Sequence, residues 1–232
     1  MGISQAWKLV INALKATWDD FTTLVFLNLI WFFLWLAPMF ISSRFTENVV
    51  WFYISLALSV LLLGPISGSM QYLLNRIVNK NEISVEEFKH GLIKFFWRSE
   101  ALVFAGILTL GVLVICFNIT VGNLGLPSLV VAIFYGIWLS VTLFWFLIIQ
   151  FVFPLLVQQD IGVFLAIKRA VLLVADNLLI SLLLLIVSGV LTYISFFLVI
   201  PFVILWFSMI GLMQNNIMVE ILKKYDNSYS KE

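Results

Sequence analysis

Four long stretches of this chain contain no charged residue and no histidine, and they constrain the fold more than any other feature. These stretches are Phe21–Ser43, Asn48–Asn75, Ala101–Gln159 and Asn177–Val219. About 20 consecutive apolar residues are enough to cross the hydrocarbon core of a bilayer as a helix. The backbone must satisfy its own hydrogen bonds there, which favours helices. The sequence therefore predicts an all-α, polytopic membrane helical bundle.

The composition agrees with this prediction and narrows the range of partners. The chain is 63% hydrophobic and only 11% charged, whereas a soluble domain has about 25% charged residues. No polar segment is long enough for a soluble domain, so we expect residues 1–232 to form a single transmembrane domain. The net charge of +1 argues against nucleic acid as a partner, because such binding needs a basic surface. The expected partner is the lipid bilayer.

The apolar stretches divide into six expected spans. A Gly/Asn/Pro-rich turn at 122–127 divides the third stretch. Residues 177–222 would reach about 70 Å as one helix, over twice the hydrocarbon thickness. This segment must fold back, and Phe196–Pro201 is the expected turn. The predicted spans are residues 21–41, 49–74, 99–121, 128–157, 177–196 and 201–222.

Three amphipathic segments, with apolar residues three and four apart, are expected to lie in the membrane interface as helices. Ser84 and Glu87 form a capping box at the start of the second. Asp160 is expected to cap the third. The three segments are Ile3–Trp18, Val85–Phe95 and Phe164–Val174.

The basic residues predict the orientation of the bundle. Of the 13 Lys and Arg residues, only Arg44 falls on the opposite side of this six-span topology. The positive-inside rule makes the basic side cytoplasmic. We expect a multi-pass protein of the cell (inner or plasma) membrane with both termini cytoplasmic. The sequence leaves the oligomeric state unspecified.

An internal repeat is predicted from the acidic residues that begin three of the spans. Asp19, Glu100 and Asp176 are spaced 81 and 76 residues apart, and each follows an amphipathic segment. Duplications of this kind are typical of membrane folds. They predict a three-fold repeat of helix pairs about an axis normal to the membrane.

Those three acidic residues also allow two functional interpretations. One is a ring of carboxylates at the cytoplasmic mouth of a cavity, since ionisable groups at membrane depth are functional candidates. The other places them at headgroup level, solvated or paired with Lys15, Arg98 or Lys168.

Amide side chains cluster after the second span of each repeat. Amides both donate and accept hydrogen bonds, so they suit the lining of a pocket for a sugar-like or other polar solute. Hydrogen bonding between helices is the alternative. The candidate lining residues are Gln71, Gln158, Gln159, Gln214, Asn215 and Asn216.

The longest polar segment, 75–98, offers a candidate docking surface. Lys89, Lys94 and Arg98 lie in it, and each basic residue near an anionic surface contributes on the order of 1 kcal/mol. Together they would anchor the second amphipathic helix or steer an acidic partner.

No catalytic constellation is visible in the sequence. The single histidine, His90, excludes a histidine cluster for a metal, and the single cysteine, Cys116, has no internal disulfide partner. There is no metalloprotease, nucleophile-elbow or phosphate-loop motif. We therefore expect a protein that is not an enzyme and uses no cofactor.

Two segments resemble a known family. Gly64–Tyr72, followed by Arg76, is similar to a Gly-Pro stretch of the YesL-like bacterial integral membrane proteins. Glu87–Ser99 looks like the aromatic and basic stretch before that family's next span. Ile66-Ser67-Gly68 stands where the family usually has Ala-Thr-Ala. The family has no established activity. Its association with carbohydrate uptake implies an accessory role in a membrane transport complex.

Two function hypotheses follow. The first is a non-enzymatic membrane protein accessory to a carbohydrate transport system. The alternative is a small-solute transporter or a substrate-binding membrane subunit. A polar cavity that reaches the middle of the membrane would favour the alternative, and a dry interior packed with Leu and Phe would favour the first.

Overall fold

The chain is almost entirely helical in its computed structural model, which describes residues 3–45, 49–122 and 128–229. Over these residues it forms nine helices and no strand, and this confirms the all-α prediction. Residues 123–127 of the predicted turn and the side chain of Arg44 lie outside what is described, and Gly122 is the last residue of α4. The helices are α1 Ile3–Asp19, α2 Phe21–Phe45, α3 Val49–Val78, α4 Val85–Gly122, α5 Ser128–Gln158, α6 Val163–Asp176, α7 Leu178–Leu198, α8 Ile200–Ile204 and α9 Trp206–Tyr229.

Five of the helices, α2, α3, α4, α5 and α7, are long and apolar enough to cross a membrane. A chain with five such helices is a membrane protein. Helix α9, which contains the sixth predicted span, is not in this set. Its sequence carries Gln214, Asn215, Asn216 and Glu220, which lower its hydropathy. Six spans and the three-fold repeat therefore stay predictions.

The second amphipathic segment is not a separate helix. It continues without interruption into the following span, so that α4 has 38 residues. No Gly or Pro lies between Leu92 and Ala105 to break the helix. Its start is as predicted, because the Glu87 amide donates to Ser84 Oγ at 3.2 Å. Helices α1 and α6, in contrast, end before the helices that follow them.

The last two spans are separated by a break that is longer than the sequence predicts. Helix α7 ends at Leu198, inside the expected turn, and Val199 has a φ of 59°. The short helix α8 then intervenes, and Leu205 separates it from α9. The last long helix therefore begins at Trp206 and not at the predicted residue 201.

The small apolar residues of α1 and α6 face the bundle. Ala6 and Ala13 of α1, and Ala166 and Ala170 of α6, are almost completely buried. Trp18, which the sequence placed on the apolar face of α1, is 75% exposed. Small residues allow helices to approach closely in membranes, whereas tryptophan suits the lipid interface.

Helix α9 belongs to both apolar cores of the bundle. Leu212 packs with residues of α2 and α3, among them Leu24, Trp31 and Met70. Met213 and Ile217 pack with α1, α5, α6 and α7 in the larger core. Helix α9, which is less apolar than the five long apolar helices, therefore lies at the centre of the bundle.

Candidate functional site

Helices α3 and α4 pack closely because glycines remove the side chains between them. Gly64 and Gly68 form a Gly-x-x-x-Gly pattern on α3, a pattern common at close helix contacts in membranes. A Cβ atom on Gly68 would lie 2.6 Å from Cβ of Ser99. A Cβ atom on Gly64 would lie 2.7 Å from Cα of Glu100. The segment that carries the family resemblance is thus a packing surface of this fold.

A buried pair of amides joins α3 to α9. Asn215 Nδ2 donates to Gln71 Oε1 at 2.7 Å and to the carbonyl of Gly211 at 2.8 Å. Both amide side chains are buried. The Gln71 amide nitrogen lies 3.0 Å from the position that a Cβ of Gly211 would occupy. Gly211 therefore gives Gln71 room to reach across the interior.

Gln71 also lines a cavity of about 800 Å³ between α3, α5, α7 and α9. This volume lies in the usual range of small-molecule sites, about 300–1,000 Å³. No charged residue lines it within the described part of the chain. Aliphatic and aromatic side chains line it together with amide and hydroxyl groups. Its polar lining residues are Gln71, Gln150, Ser188, Thr192, Tyr193 and Gln214.

Two of these polar groups have hydrogen-bonding capacity that the described residues leave unused. Gln150 is 6% exposed, and its Nε2 donates to the carbonyl of Ser181 at 3.0 Å. Its Oε1 is buried and has no hydrogen-bond partner there. Ser188, 8% exposed, also has a hydroxyl without a partner. Neither atom has appreciable accessible surface, so both lie behind the surface of the cavity wall.

Thr192 and Trp206 complete one wall of the cavity and are already paired. Trp206 Nε1 donates to Thr192 Oγ1 at 3.0 Å, and Thr192 donates to the carbonyl of Ser188 at 2.7 Å. These bonds hold α9 beside α7. The indole ring of Trp206 is thereby fixed as a flat apolar surface of the cavity.

The remaining predicted lining residues lie elsewhere. Gln158 and Gln159 are at the end of α5, where Gln159 Oε1 accepts a hydrogen bond from Arg169. Asn216 faces a smaller cavity of about 250 Å³ that also contacts Leu9 and Glu220. Of the six predicted residues, Gln71 and Gln214 line the cavity of about 800 Å³. Asn215 does not line it, but its side chain donates a hydrogen bond to Gln71.

The three predicted acidic residues have different surroundings. Glu100 is buried against Gly64. Asp19 and Asp176 are exposed, and Asp176 accepts a hydrogen bond from the Tyr225 hydroxyl at 3.2 Å. None of the three lines the cavity that contains Gln71. The carboxylate ring stays a prediction.

Two of the three predicted docking residues form ion pairs within the chain. Lys94 Nζ lies 2.9 Å from Asp160 Oδ2, and Arg98 lies 2.7 Å from Asp160 Oδ1. The Lys94 hydrogen bond, with a smaller contribution from Arg98, lowers the pKa of Asp160 below its usual value. The ion pairs therefore contribute stability above that value and lose it as the pH falls through the lowered pKa. Lys89 is exposed.

Asp160 does not cap the third amphipathic helix. The residue at the N-cap position of α6 is Gly162, and no side chain bonds to the helix start. Asp160 instead has a φ of 49° in the turn after α5. The ion pairs with Lys94 and Arg98 explain the difference, because they direct the carboxylate toward α4 and away from α6.

Asn28 is a buried polar residue whose role the sequence analysis missed. Its Nδ2 donates to the carbonyls of Phe202 and Val203, at 3.2 and 2.7 Å. Its Oδ1 accepts from the amides of Phe207 and Ser208, at 2.8 and 3.1 Å. One amide group thus satisfies both sides of the break between α8 and α9. An isolated Asn within an apolar span was the available signal.

The titratable residues do not form a metal centre in the described ranges. No group of three or more His, Cys, Asp or Glu side chains is placed there to hold an ion.

Comparisons with models of known families, with curated proteins and with solved structures found no match to this chain. The cavity between α3, α5, α7 and α9, called the central cavity below, is therefore assessed from its own chemistry.

Proposed function

We propose that this chain is a non-enzymatic membrane protein whose central cavity binds a small uncharged molecule, as a transporter or as a substrate-binding membrane subunit. The observation that carries the proposal is the size and lining of the cavity, about 800 Å³ with Gln71, Gln150 and Gln214 in its wall. The lack of lining charge on the described residues favours an uncharged molecule.

An accessory role in a transport complex is the second candidate. The observation that favours it is an exposed stripe on α4, in which Lys89 is followed by Ile93 and Trp97 at 80% and 79% exposure. The internal ion pairs of Lys94 and Arg98 weaken this candidate, because they occupy two of the three expected docking cations. Membership of the YesL-like family and a bacterial origin remain part of this proposal, as does its link with carbohydrate uptake.

The proposed location is the cell membrane, with six spans and with the charged ends of the helices in the cytoplasm. The charge asymmetry of the sequence supports this orientation. The contacts between Arg76 and Glu87, and between Arg98 and Asp160, join charged segments that the topology places on one side.

Uptake by reconstituted vesicles tests the binding function. Radiolabelled glucose, glycerol and urea, and monooleoylglycerol supplied in the lipid, would each be tested with protein in phosphatidylcholine vesicles. We expect saturable binding or transfer of one of these uncharged probes, lost in Gln150→Leu. The matched control is Gln158→Leu, at a glutamine of the same helix outside the cavity. Equal behaviour of the two variants, or no protein-dependent signal with any probe, would sink the proposal.

A further inference from the structure

The turn between α5 and α6 marks a level at which the chain leaves the membrane. The charge-free stretch Ala101–Gln159 contains the apolar part of α4 and the whole of α5. Its two ends meet, because Arg98 and Asp160, which flank it, form an ion pair at 2.7 Å. Charged side chains avoid the hydrocarbon core, so the edge of the core lies at this level. Helix α6 begins there and has 14 residues, which reach about 21 Å and are too few to cross the core.

Basic side chains from two helices converge on this turn. From α4, Lys94 lies 2.9 Å and Arg98 lies 2.7 Å from the carboxylate of Asp160. From α6, Arg169 donates a hydrogen bond to the side chain of Gln159, the residue before Asp160. Two guanidinium groups and one ammonium group are therefore held at two adjacent residues.

The single carboxylate at the turn does not neutralise the cations around it. Asp160 is the only acidic residue between positions 101 and 175 of the sequence, and Lys168 adds a further exposed cation. Glu100 is close in sequence, but it is buried against Gly64 and is not part of this surface. The surface therefore carries four cations and one carboxylate, and its net charge is positive.

Both arginines keep hydrogen-bond donors for a further anion. A guanidinium group has five N–H donors in a planar fork that matches the oxygens of a phosphate. Arg98 uses Nη1 for its bond to Asp160, and Arg169 uses Nη1 for its bond to Gln159. The other nitrogens of each group can bind a phosphate placed between α4 and α6.

Exposed apolar side chains beside the cations indicate that the phosphate belongs to a lipid. Trp97, which precedes Arg98, is 79% exposed, and Phe164 at the start of α6 is 83% exposed. Phe164, Lys168 and Leu172 follow one another at four-residue spacing and are all exposed. A helix face that combines basic and large apolar residues is typical of contact with the membrane interface, and tryptophan is enriched there. A free phosphate ion would leave these apolar side chains in water.

We propose that the surface formed by α4, α6 and the turn at 159–162 binds the headgroup of an anionic phospholipid. The phosphate accepts hydrogen bonds from Arg98 and Arg169, and Lys168 adds to the attraction. The acyl chains cover Trp97 and Phe164. This site is separate from the central cavity, so the two proposals can fail independently.

Retention of radiolabelled phosphatidylglycerol by the full chain, purified in micelles of an uncharged detergent, tests the inference. We expect saturable binding, with phosphatidylcholine competing at least tenfold less well because its head has no net charge. Lys168→Gln combined with Arg169→Gln should weaken binding tenfold or more, since each basic residue near an anionic surface contributes about fivefold. Lys8→Gln combined with Lys15→Gln is the matched control, because it removes the same charge from exposed positions of α1.

A salt series supports the test without any variant, because binding to exposed charges should weaken as the salt concentration rises. Equal competition by phosphatidylcholine, or equal losses in the two double variants, would overturn the inference. Displacement of the lipid by millimolar inorganic phosphate would show a site for the free ion and would also overturn it. Polyglutamate that binds through Lys168 and Arg169, without any preference for phosphatidylglycerol, would assign the surface to an acidic protein instead.

Discussion

The side-chain amide of Asn28 hydrogen-bonds to the backbone on both sides of the break between helices α8 and α9. Four backbone groups of residues 202–208 would lack a partner without it, because α8 has ended and α9 has not yet formed its regular bonds. Irregular backbone inside a membrane protein requires such partners. Asn28 is completely buried, so water is not available to replace it.

We therefore expect Asn28→Leu to lower the free energy of unfolding by about 1–3 kcal/mol, the usual cost of leaving buried polar groups unpaired. Reversible unfolding by denaturant in detergent micelles, followed by circular dichroism, measures this loss. Asn118→Leu is the matched control, since Asn118 is exposed and its side chain donates to the carbonyl of Val114 in its own helix. A loss of the same size in the two variants would contradict the role assigned to Asn28.

The sequence predicted part of the candidate site at the level of residues. Gln71 and Gln214 were identified because amides are conspicuous in apolar surroundings, and both line the central cavity. Gln150 and Ser188 were missed, although they also line it. Each is a single polar residue in a long apolar helix, and which way it faces depends on packing with helices far away in sequence.

At the level of individual helices, the sequence again predicted only part of the structure. The long helices were predictable, because apolar length alone specifies them. The break around α8 was predicted only as a turn, because the added short helix depends on bonds from Asn28. The buried face of α1 was predicted only in part. Val10 belongs to the predicted apolar face and is buried with Ala6 and Ala13, whereas Trp18 of that face is exposed.

The contact between α3 and α4 gives a prediction about a helix pair. Gly64→Ala would place a Cβ atom 2.7 Å from Cα and 2.9 Å from the amide nitrogen of Glu100. Backbone atoms of a packed helix cannot move aside locally, so the helices must separate. We expect a loss of about 1–3 kcal/mol, as is usual for overpacking.

Thermal unfolding of the purified protein in detergent would measure this loss. Gly111→Ala is the control, because no atom lies within 4 Å of a Cβ placed at that position of α4. It should leave the melting temperature unchanged or raise it slightly, since alanine favours helices over glycine. Similar melting temperatures for the two variants would mean that Gly64 is not a close contact.

For the whole molecule, the packing of α9 against α7 bears on how many times the chain crosses the membrane. One end of α9 meets the end of α7, where Trp206 donates to Thr192 at 3.0 Å. Its other end meets the start of α7, where Asn177 donates to the Tyr225 hydroxyl at 2.8 Å. The two helices thus run antiparallel over the same length. The low hydropathy of α9 does not oppose a crossing, because Asn215 is buried between helices and bonded to Gln71.

We therefore predict six crossings, with residues 81 and 227 on one side of the membrane. Cysteines introduced at Asn81 and Asn227, after replacement of Cys116 by Ser, should both be protected from an impermeant thiol reagent added outside intact cells. Cysteines at Asn48 and Asn123, which lie outside the described residues, should react. Permeabilised cells provide the control, because every position should then be labelled. If α9 stays on one side, the chain crosses five times, and Asn227→Cys would react from outside while Asn81→Cys would not.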